Sequence, residues 1–336
     1  MTGSAKILVT GGAGFIGSHL VEHLVGSGAH VVVLDNFRNG KRENLEFSGP
    51  QRGAGKLEII EGDIVDADTC ARALSGIDTV FHLACLGVRH SLHSPVENHQ
   101  VNALGSLNVL VAARAAKVQR LVYVSTSEIY GRALEFPITE SCTPWPLTVY
   151  GSSKLAGEHY ARSYHECYGL PVAIVRPFNN YGPRSHFEGD SGEVIPRFIL
   201  RALAGLPPII FGDGSHTRDF LFVKDCAETL ARIATADALI GQVVNLGYGE
   251  ETRVDALARA VLEATKRTDL APVFEAERPA DVPKLWVDTS KLRQAIAFAP
   301  KVALREGIAQ TLQYFEKLYR ETPDVLAQIK TKNWEA

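Results

Sequence analysis

Short runs of aliphatic and β-branched residues recur along the first half of the chain, and longer stretches of mixed apolar and polar residues separate them. The apolar runs predict strands over residues 7–10, 31–35, 57–61, 79–83, 121–125 and 172–176. The mixed stretches predict helices, most clearly over 15–25, 99–116 and 150–168. Strands that are apolar throughout and alternate with amphipathic helices are typical of a parallel sheet covered on both faces. We therefore predict an α/β fold with a doubly wound parallel sheet.

A glycine-rich turn joins the first predicted strand to the first helix. Gly12, Gly14 and Gly17 have the spacing that lets a backbone approach a pyrophosphate, and the helix that follows offers free N–H groups at its N-terminus. The second strand ends at Asp35, 18 residues after Gly17, where a carboxylate accepts hydrogen bonds from an adenosine ribose. This arrangement predicts a Rossmann-type site that prefers NAD to NADP. Three basic residues nearby act against that preference: Arg38, Lys41 and Arg42.

The distribution of proline and glycine changes after residue 177. Proline and glycine are frequent between residues 183 and 214, and residues 243–246 form one more apolar run. We therefore predict that the chain leaves the first domain and later returns to it. The prediction is a Rossmann NAD-binding domain over residues 1–176 plus about 216–250, and a smaller α/β substrate-binding domain over 177–215 plus 251–330.

Composition excludes several classes of protein. The 336 residues carry 35 basic and 38 acidic side chains, and 46% are apolar. The formal net charge of −3 gives no reason to expect nucleic acid or a membrane surface as partner, and no apolar run is long enough to span a bilayer. Five cysteines lie far apart without a C-x-x-C pair, so we expect neither a disulfide framework nor a metal site. We expect no signal peptide and a cytoplasmic location.

Tyr150 and Lys154 point most directly to chemistry. They lie four residues apart on a predicted helix, so the phenol and the ammonium share one face. Lowering the pKa of a tyrosine from 10 to 7 requires roughly 4 kcal/mol, which a nearby ammonium and the cationic ring of NAD⁺ would help to supply. We therefore expect Tyr150 to take a hydroxyl proton while hydride leaves the same carbon. Thr126, at a strand end, could link the substrate oxygen to the phenol.

Eight motifs follow one another along the chain: TGGAGFIG (10–17), LDN (34–36), GDI (62–64), HLA (82–84), STSEIYG (125–131), YxxxK (150–154), RPFNNYGPR (176–184) and RDF (218–220). Together they resemble the extended short-chain dehydrogenases/reductases of the NAD-dependent nucleotide-sugar epimerase/dehydratase family, and UDP-glucose 4-epimerases in particular. The resemblance extends over nearly the whole chain and implies an enzyme that uses NAD.

The resemblance also implies a set of binding residues. NAD would be held by Gly11, Gly14, Phe15, Ile16, Gly17, Asp35, Asn36, Asp63, Ile64, Leu83, Ala84, Tyr150, Lys154 and Pro177. The substrate would be a nucleotide sugar, with UDP favoured, held by Ser127, Asn179, Arg184, Val194, Arg218 and Arg278. Asn179 would donate to a phosphate, and the forked guanidinium groups of Arg218 and Arg278 would grip the diphosphate.

Three reactions remain open at this stage. A 4-epimerase needs only oxidation at C4, rotation of the 4-keto sugar and return of the hydride. A 4,6-dehydratase also needs a carboxylate to remove the C5 proton, and a decarboxylase uses the 4-ketone as an electron sink. Glu128, in Thr126-Ser127-Glu128, resembles the acid of dehydratases and UDP-glucuronate decarboxylases, whereas residues 34–45 resemble 4-epimerases. We predict a 4-epimerase acting on a UDP-hexose or UDP-hexuronate, with the decarboxylase or dehydratase as the alternative.

Two further expectations concern the class of protein and its assembly. Sensor proteins of this fold usually lose the tyrosine or the lysine, and both are present here. The predicted helices 99–116 and 150–168 resemble the pair that packs against a twofold mate in this family. We therefore predict a homodimer, although Leu104, Leu107, Val111 and Leu155 could instead belong to the internal core.

Overall fold

Seven parallel strands form the main sheet of the computed structural model, which describes residues 5–47, 55–278 and 281–335. Across the described residues, the strands of this sheet and of the smaller two-stranded sheets are β1 (Lys6–Thr10), β2 (His30–Asp35), β3 (Lys56–Glu61), β4 (Thr79–His82), β5 (Arg120–Val124), β6 (Val172–Pro177), β7 (Asn179–Tyr181), β8 (Ile209–Phe211), β9 (Thr217–Arg218), β10 (Phe220–Phe222), β11 (Val243–Leu246), β12 (Thr252–Arg253) and β13 (Val273–Glu275). The main sheet has the order β11-β6-β5-β4-β1-β2-β3. The predicted doubly wound fold is confirmed, and each predicted strand matches to within one residue at either end.

Helices cover both faces of this sheet. They are α1 (Phe15–Gly26), α2 (Ala67–Ala73), α3 (His90–His93), α4 (Pro95–His99), α5 (Ser106–Ala115), α6 (Val149–Tyr168), α7 (Val194–Leu203), α8 (Val223–Ile233), α9 (Val254–Ala264), α10 (Ser290–Ile296) and α11 (Leu304–Glu321). The helix predicted over 99–116 starts earlier, at Pro95, and passes through a π-helical stretch, Gln100–Gly105, before α5. Proline suits this start because the first helical position needs no N–H donor.

The apolar core has two layers on the main sheet and a separate part beyond it. One layer includes Leu20 of α1 and Leu230 of α8, and the other includes Leu110 of α5. A distinct cluster joins α7, α9 and α11 through residues such as Ile199 and Phe315. This cluster lies in the region for which a substrate-binding domain is predicted, and the domain division remains a prediction.

A buried ion pair ties α6 to the sheet. Glu158 and Arg176 are 2% and 3% exposed, and the Arg176 Nε donates to the Glu158 carboxylate at 3.1 Å. The Arg176 guanidinium also donates to the Tyr130 hydroxyl, which donates in turn to Asn245 Oδ1, both at 2.7 Å. The network therefore fixes α6, β6 and β11 against the 3₁₀ turn Ser127–Tyr130.

The helices expected at a dimer interface leave some apolar side chains exposed. Leu104 and Val111 are 45% and 51% exposed, whereas Leu107 and Leu155 are partly buried within the chain. The homodimer remains a prediction. Within the described residues, no helix is both long and apolar enough to cross a membrane.

Candidate active site

A cavity of about 530 Å³ opens at the carboxyl ends of the strands. The strand order reverses between β1 and β4, and in open α/β sheets ligands bind in the crevice at such a point. Every residue predicted to hold the cofactor, the substrate or the reacting groups lines this cavity, with the single exception of Arg184. The structure thus brings together residues from position 11 to position 278, and their individual roles remain predictions.

The glycine turn is shaped for close backbone approach. Gly11 has a φ of +69°, and a Cβ built there would lie 2.7 Å from the backbone nitrogen of Ala84. A Cβ at Gly17 would lie 2.1 Å from the Gly11 carbonyl oxygen, so no larger residue fits. Gly14 caps α1 in an extended conformation, and the first turn of α1 faces the cavity. This geometry fits a dinucleotide pyrophosphate at the N-terminus of α1.

Asp35 stands at the end of β2 with its carboxylate held in place. It accepts hydrogen bonds from the backbone N–H groups of Ala13 and Phe37 at 2.9 and 2.8 Å. Burial raises the pKa of Asp35, and these two hydrogen bonds oppose that rise. The three basic residues that could have attracted a 2′-phosphate all pair with carboxylates: Arg38 with Glu97, Lys41 with Glu188 and Arg42 with Glu61.

We expect Asp35→Asn to weaken NAD binding by about ten-fold or more, because hydrogen bonds to a charged acceptor contribute roughly 1.5–3 kcal/mol. The ratio of NADP to NAD affinity should rise, since the repulsion of a 2′-phosphate is removed. Calorimetric titration with both dinucleotides measures the change. Asp68→Asn, which makes the same change outside the cavity, is the control. Unchanged affinity in Asp35→Asn would exclude a ribose contact.

The predicted reacting groups converge where β5 ends. Thr126 caps the turn Ser127–Tyr130, and its Oγ1 accepts a hydrogen bond from the Glu128 N–H at 3.2 Å. Lys154 is 1% exposed, and its Nζ donates to the Val124 carbonyl at 2.7 Å. Tyr150 lies one turn earlier on α6, which begins at Val149 behind the capping residue Thr148.

The surroundings of the Tyr150 phenol disfavour its charged form in the protein without NAD⁺. The pKa of Tyr150 is raised well above its ordinary value, chiefly by burial, with the charges of Cys85 and Glu128 adding to the rise and the Thr126 hydroxyl opposing it. The expected phenolate depends on the positive charge of the nicotinamide ring as well as on Lys154. It therefore remains a prediction for the enzyme with NAD⁺ bound.

Two acids and an arginine line the same cavity as Thr126. Burial raises the pKa of Glu128, whereas Arg218 opposes the rise. Burial raises the pKa of Glu193 to about 8, with Arg89 acting against it, and lowers the pKa of Arg89 itself to about 10. Arg89 makes no ion pair within the part of the chain that the structure describes. Arg89 is therefore a cation that a substrate carboxylate could contact.

Arg218 and Arg278 meet on one carboxylate. Arg218 Nη2 donates to Asp281 Oδ1 at 2.6 Å, and Arg278 Nη2 donates to Asp281 Oδ2 at 2.9 Å. One negative charge thus holds two guanidinium groups, and the cluster keeps a net positive charge toward the cavity. Asn179 lines the same region, and its buried Oδ1 has no hydrogen-bond partner among the described residues. This cluster is suited to a diphosphate.

Arg184 differs from the other residues predicted to bind the substrate. It does not line the cavity, and its guanidinium donates to Glu22 at 2.7 Å and lies near the Phe47 ring. Its backbone has a φ of +64°. This position gives no support to the expected contact with the substrate, which remains a prediction.

Several lining residues were missed by the sequence analysis. Glu193, Arg197, Phe211 and Trp334 all face the cavity from segments that carry no recognisable motif. Glu193 precedes α7 and Phe211 ends β8. Their positions depend on how α7 and β8 pack in the second half of the chain, and no spacing within the sequence reports that packing.

The fold agrees with comparisons against known proteins. Residues 7–247 match the NAD dependent epimerase/dehydratase family. The chain is 38% identical over 313 residues to UDP-glucose 4-epimerase of Mycolicibacterium smegmatis, covering 92% of this chain and 98% of that protein. It is 36% identical over 320 residues to UDP-glucuronic acid decarboxylase 1 of Arabidopsis thaliana, covering 92% and 69% of the two chains.

A solved structure extends this agreement to three dimensions. A mutant of UDP-glucuronic acid 4-epimerase from Bacillus cereus, in complex with UDP-4-deoxy-4-fluoro-glucuronic acid and NAD, superposes with a TM-score of 0.85 at 32% identity. The alignment covers 94% of this chain and all of the other. The chain belongs to the NAD dependent epimerase/dehydratase family. It is an enzyme of that class, and its cofactor is NAD.

Proposed function

We propose that this enzyme is a 4-epimerase of a UDP-sugar and works through a transient 4-keto intermediate. The observation that carries the proposal is the arrangement within one cavity of three groups of residues. Tyr150 and Thr126, the glycine turn and the Arg218–Arg278 cluster all line this cavity. In the proposal these three groups serve the reacting carbon, the cofactor and the diphosphate. The similarity to UDP-glucose 4-epimerase at 38% identity supports the same assignment.

Residues of the chain transfer the proton of the 4-hydroxyl and orient the sugar. Bound NAD supplies the hydride acceptor. Tyr150 takes the proton of the 4-hydroxyl as the C4–H bond breaks, and returns it when the other face of the 4-ketone is reduced. Thr126 holds the hydroxyl toward the phenol, and Lys154, fixed by the Val124 carbonyl, keeps a positive charge close to the phenolate. The two arginines hold the diphosphate while the sugar rotates.

A UDP-hexuronate decarboxylase is the second candidate. Glu128 and Arg89 favour it, because they place an acid and an unpaired cation beside the reacting groups. The cation would hold the substrate carboxylate until carbon dioxide leaves C5, and a group at this site would then protonate C5. The 36% identity to UDP-glucuronic acid decarboxylase 1 supports this alternative.

A substrate panel distinguishes the reactions. The NAD-loaded enzyme is incubated with UDP-, GDP-, CDP- and dTDP-sugars, and the products are measured by mass spectrometry and chromatography. We expect a UDP-sugar to give an isomer of the same mass. Loss of carbon dioxide would establish the decarboxylase instead, and loss of water would establish a dehydratase.

The effect of Glu128→Gln on kcat distinguishes a 4-epimerase from a dehydratase. A 4-epimerase leaves the C5–H bond intact, so we expect kcat to stay within a few-fold of wild type. A base at C5 contributes typically 10²–10⁴-fold, so a dehydratase would lose activity on that scale. Glu43→Gln, on the turn Arg42–Leu45 outside the cavity, is the control for the same chemical change.

The isotope content of the product completes this test. Turnover in D₂O should leave the carbon atoms of an epimerised sugar unlabelled, because the hydride returns to the carbon it left. Deuterium at C5 or C6, together with a large defect in Glu128→Gln, would make the epimerase assignment untenable.

A further inference from the structure

Residues 183–191, which we call the strap, lie between β7 and α7 and form part of the cavity wall. His186, Asp190 and Ser191 of the strap line the same cavity as the glycine turn. The strap has no regular structure of its own beyond the 3₁₀ turn Gly189–Ser191. Its position therefore depends on the contacts that it makes with the rest of the chain.

The strap is held on one side by the second half of the chain. Phe187 is buried and packs edge-on against Phe315 of α11, with the ring centroids 5.9 Å apart. The Glu193 N–H, just after the strap, donates to the His186 carbonyl at 2.7 Å. Apolar packing and a backbone hydrogen bond thus fix this side of the strap.

The beginning of the strap is bound to α1. His19 Nε2 donates to the Pro183 carbonyl at 2.9 Å, and Arg184 Nη2 donates to the Glu22 carboxylate at 2.7 Å. His19 lies two residues after Gly17 of the glycine turn. The first contacts of the strap are therefore beside the turn that fits a dinucleotide pyrophosphate.

Two further contacts bind the later part of the strap to the first half of the chain. Glu188 pairs with Lys41, which follows β2 and whose backbone N–H donates to the Ala13 carbonyl of the glycine turn at 3.0 Å. His93 Nε2, on α3, donates to Asp190 Oδ2 at 2.9 Å. These side chains are partly exposed, so water can reach the contacts when they break.

The strap lies across the switch point of the main sheet. β1 and β4 are neighbours there, and the crevice beyond their carboxyl ends is the usual place of a dinucleotide. The strap contacts α1, which follows β1, and α3, which follows β4. It is fixed on both sides of the crevice, and NAD bound at the glycine turn would be enclosed by it.

We propose that the strap is a gate for NAD, which opens by breaking its three carboxylate contacts with the first half of the chain. These contacts are Arg184–Glu22, Lys41–Glu188 and His93–Asp190. The gate goes beyond the proposed function, because it depends only on NAD being the cofactor. In the proposed 4-epimerase reaction the hydride returns from the same NAD molecule, so a closed strap keeps the cofactor in place between oxidation and reduction.

Removing the three negative charges tests the gate. We expect Glu22→Gln/Glu188→Gln/Asp190→Asn to raise the rate constant koff for NAD by about ten-fold or more, since each exposed ion pair changes an equilibrium by up to about five-fold. The same opening serves entry and exit, so kon should rise with koff and Kd should change much less. Loss of radiolabelled NAD into excess unlabelled NAD gives koff, calorimetric titration gives Kd, and their ratio gives kon.

A matched control removes three ion pairs elsewhere. Glu228→Gln/Asp237→Asn/Glu263→Gln breaks pairs outside the cavity and should keep the wild-type koff. Salt gives a second signal, because about 1 M salt shortens the Debye length to roughly 3 Å and weakens exposed pairs. It should speed NAD release from the wild type more than from the strap variant. If the triple variant does not fold, Asp190→Asn alone, with a smaller rise in koff and kon, serves instead.

The outcomes separate the gate from other roles of these residues. An unchanged koff in the strap variant overturns the gate. A raised koff with unchanged kon also overturns it, because the carboxylates would then stabilise bound NAD without controlling access. Equal acceleration by salt in the wild type and the variant would likewise contradict it. None of these results bears on the 4-epimerase, which the substrate panel tests, and a different product in that panel would leave the gate intact.

Discussion

Tyr150→Phe is expected to lower kcat by about 10²–10⁴-fold while the fold and NAD binding remain. The change removes one hydroxyl, and general acid–base catalysis by a positioned group contributes on this scale. In the proposed mechanism the phenol takes the proton of the 4-hydroxyl, and it lines the same cavity as Thr126 and the glycine turn. Steady-state rates with the UDP-sugar identified in the panel, and calorimetric titration with NAD, measure the two quantities.

A tyrosine on the same helix provides the control. Tyr160 lies on α6 but does not line the cavity, so Tyr160→Phe should keep the wild-type rate. Retention of half the wild-type rate by Tyr150→Phe would show that another group takes the proton. Burial raises the pKa of Tyr150, so the proposed mechanism requires bound NAD⁺, together with Lys154, to stabilise the phenolate.

Glu158→Ala is expected to lower the free energy of unfolding by about 3–5 kcal/mol, because it leaves the buried Arg176 without its counter-charge. The loss should also reduce activity, since the same network holds the turn that carries Ser127 and Glu128 against α6. Urea denaturation followed by circular dichroism measures the change.

An exposed ion pair provides the comparison. Glu263 pairs with Arg305 at 3.0 Å on the surface, and such pairs contribute about 0–1 kcal/mol. Glu263→Ala should therefore unfold close to the wild-type urea concentration. Equal midpoints for Glu158→Ala and the wild type would mean that the buried network contributes nothing to stability.

The predictions for Tyr150→Phe and Glu158→Ala are linked because both residues lie on α6. The helix that carries Tyr150 and Lys154 also carries Glu158, which lies two turns after Tyr150 and one turn after Lys154. Glu158 is bound to Arg176 of β6, and Arg176 reaches the Tyr130 hydroxyl at the end of the Thr126 turn. A structural ion pair thus sets the distance between the two segments that deliver the reacting groups.

Much of the fold could be predicted because its signals are local. A strand that is buried on both faces must be apolar throughout, so residues such as Val31–Val33 show it without any knowledge of their neighbours. Gly17 is required by a contact within the same turn, with the Gly11 carbonyl. Tyr150 and Lys154 share a helix face by spacing alone. These features depend on residues close together in the chain, and the sequence determined them.

The remaining features depend on segments that meet only in the folded chain. Asp281 binds Arg218, 63 positions earlier in the chain, as well as Arg278, and Trp334 contacts Phe211 from a different segment. Arg184 belongs to a recognisable motif, yet it has a positive φ, donates a hydrogen bond to Glu22 and lies outside the cavity. The pKa of Tyr150 follows from burial, which no local pattern reports. The sequence by itself determined the strands, the glycine turn and the spacing of Tyr150 and Lys154. Only tertiary packing decided which side chains share the cavity and how deeply they are buried, because burial and long-range contact arise from the whole fold.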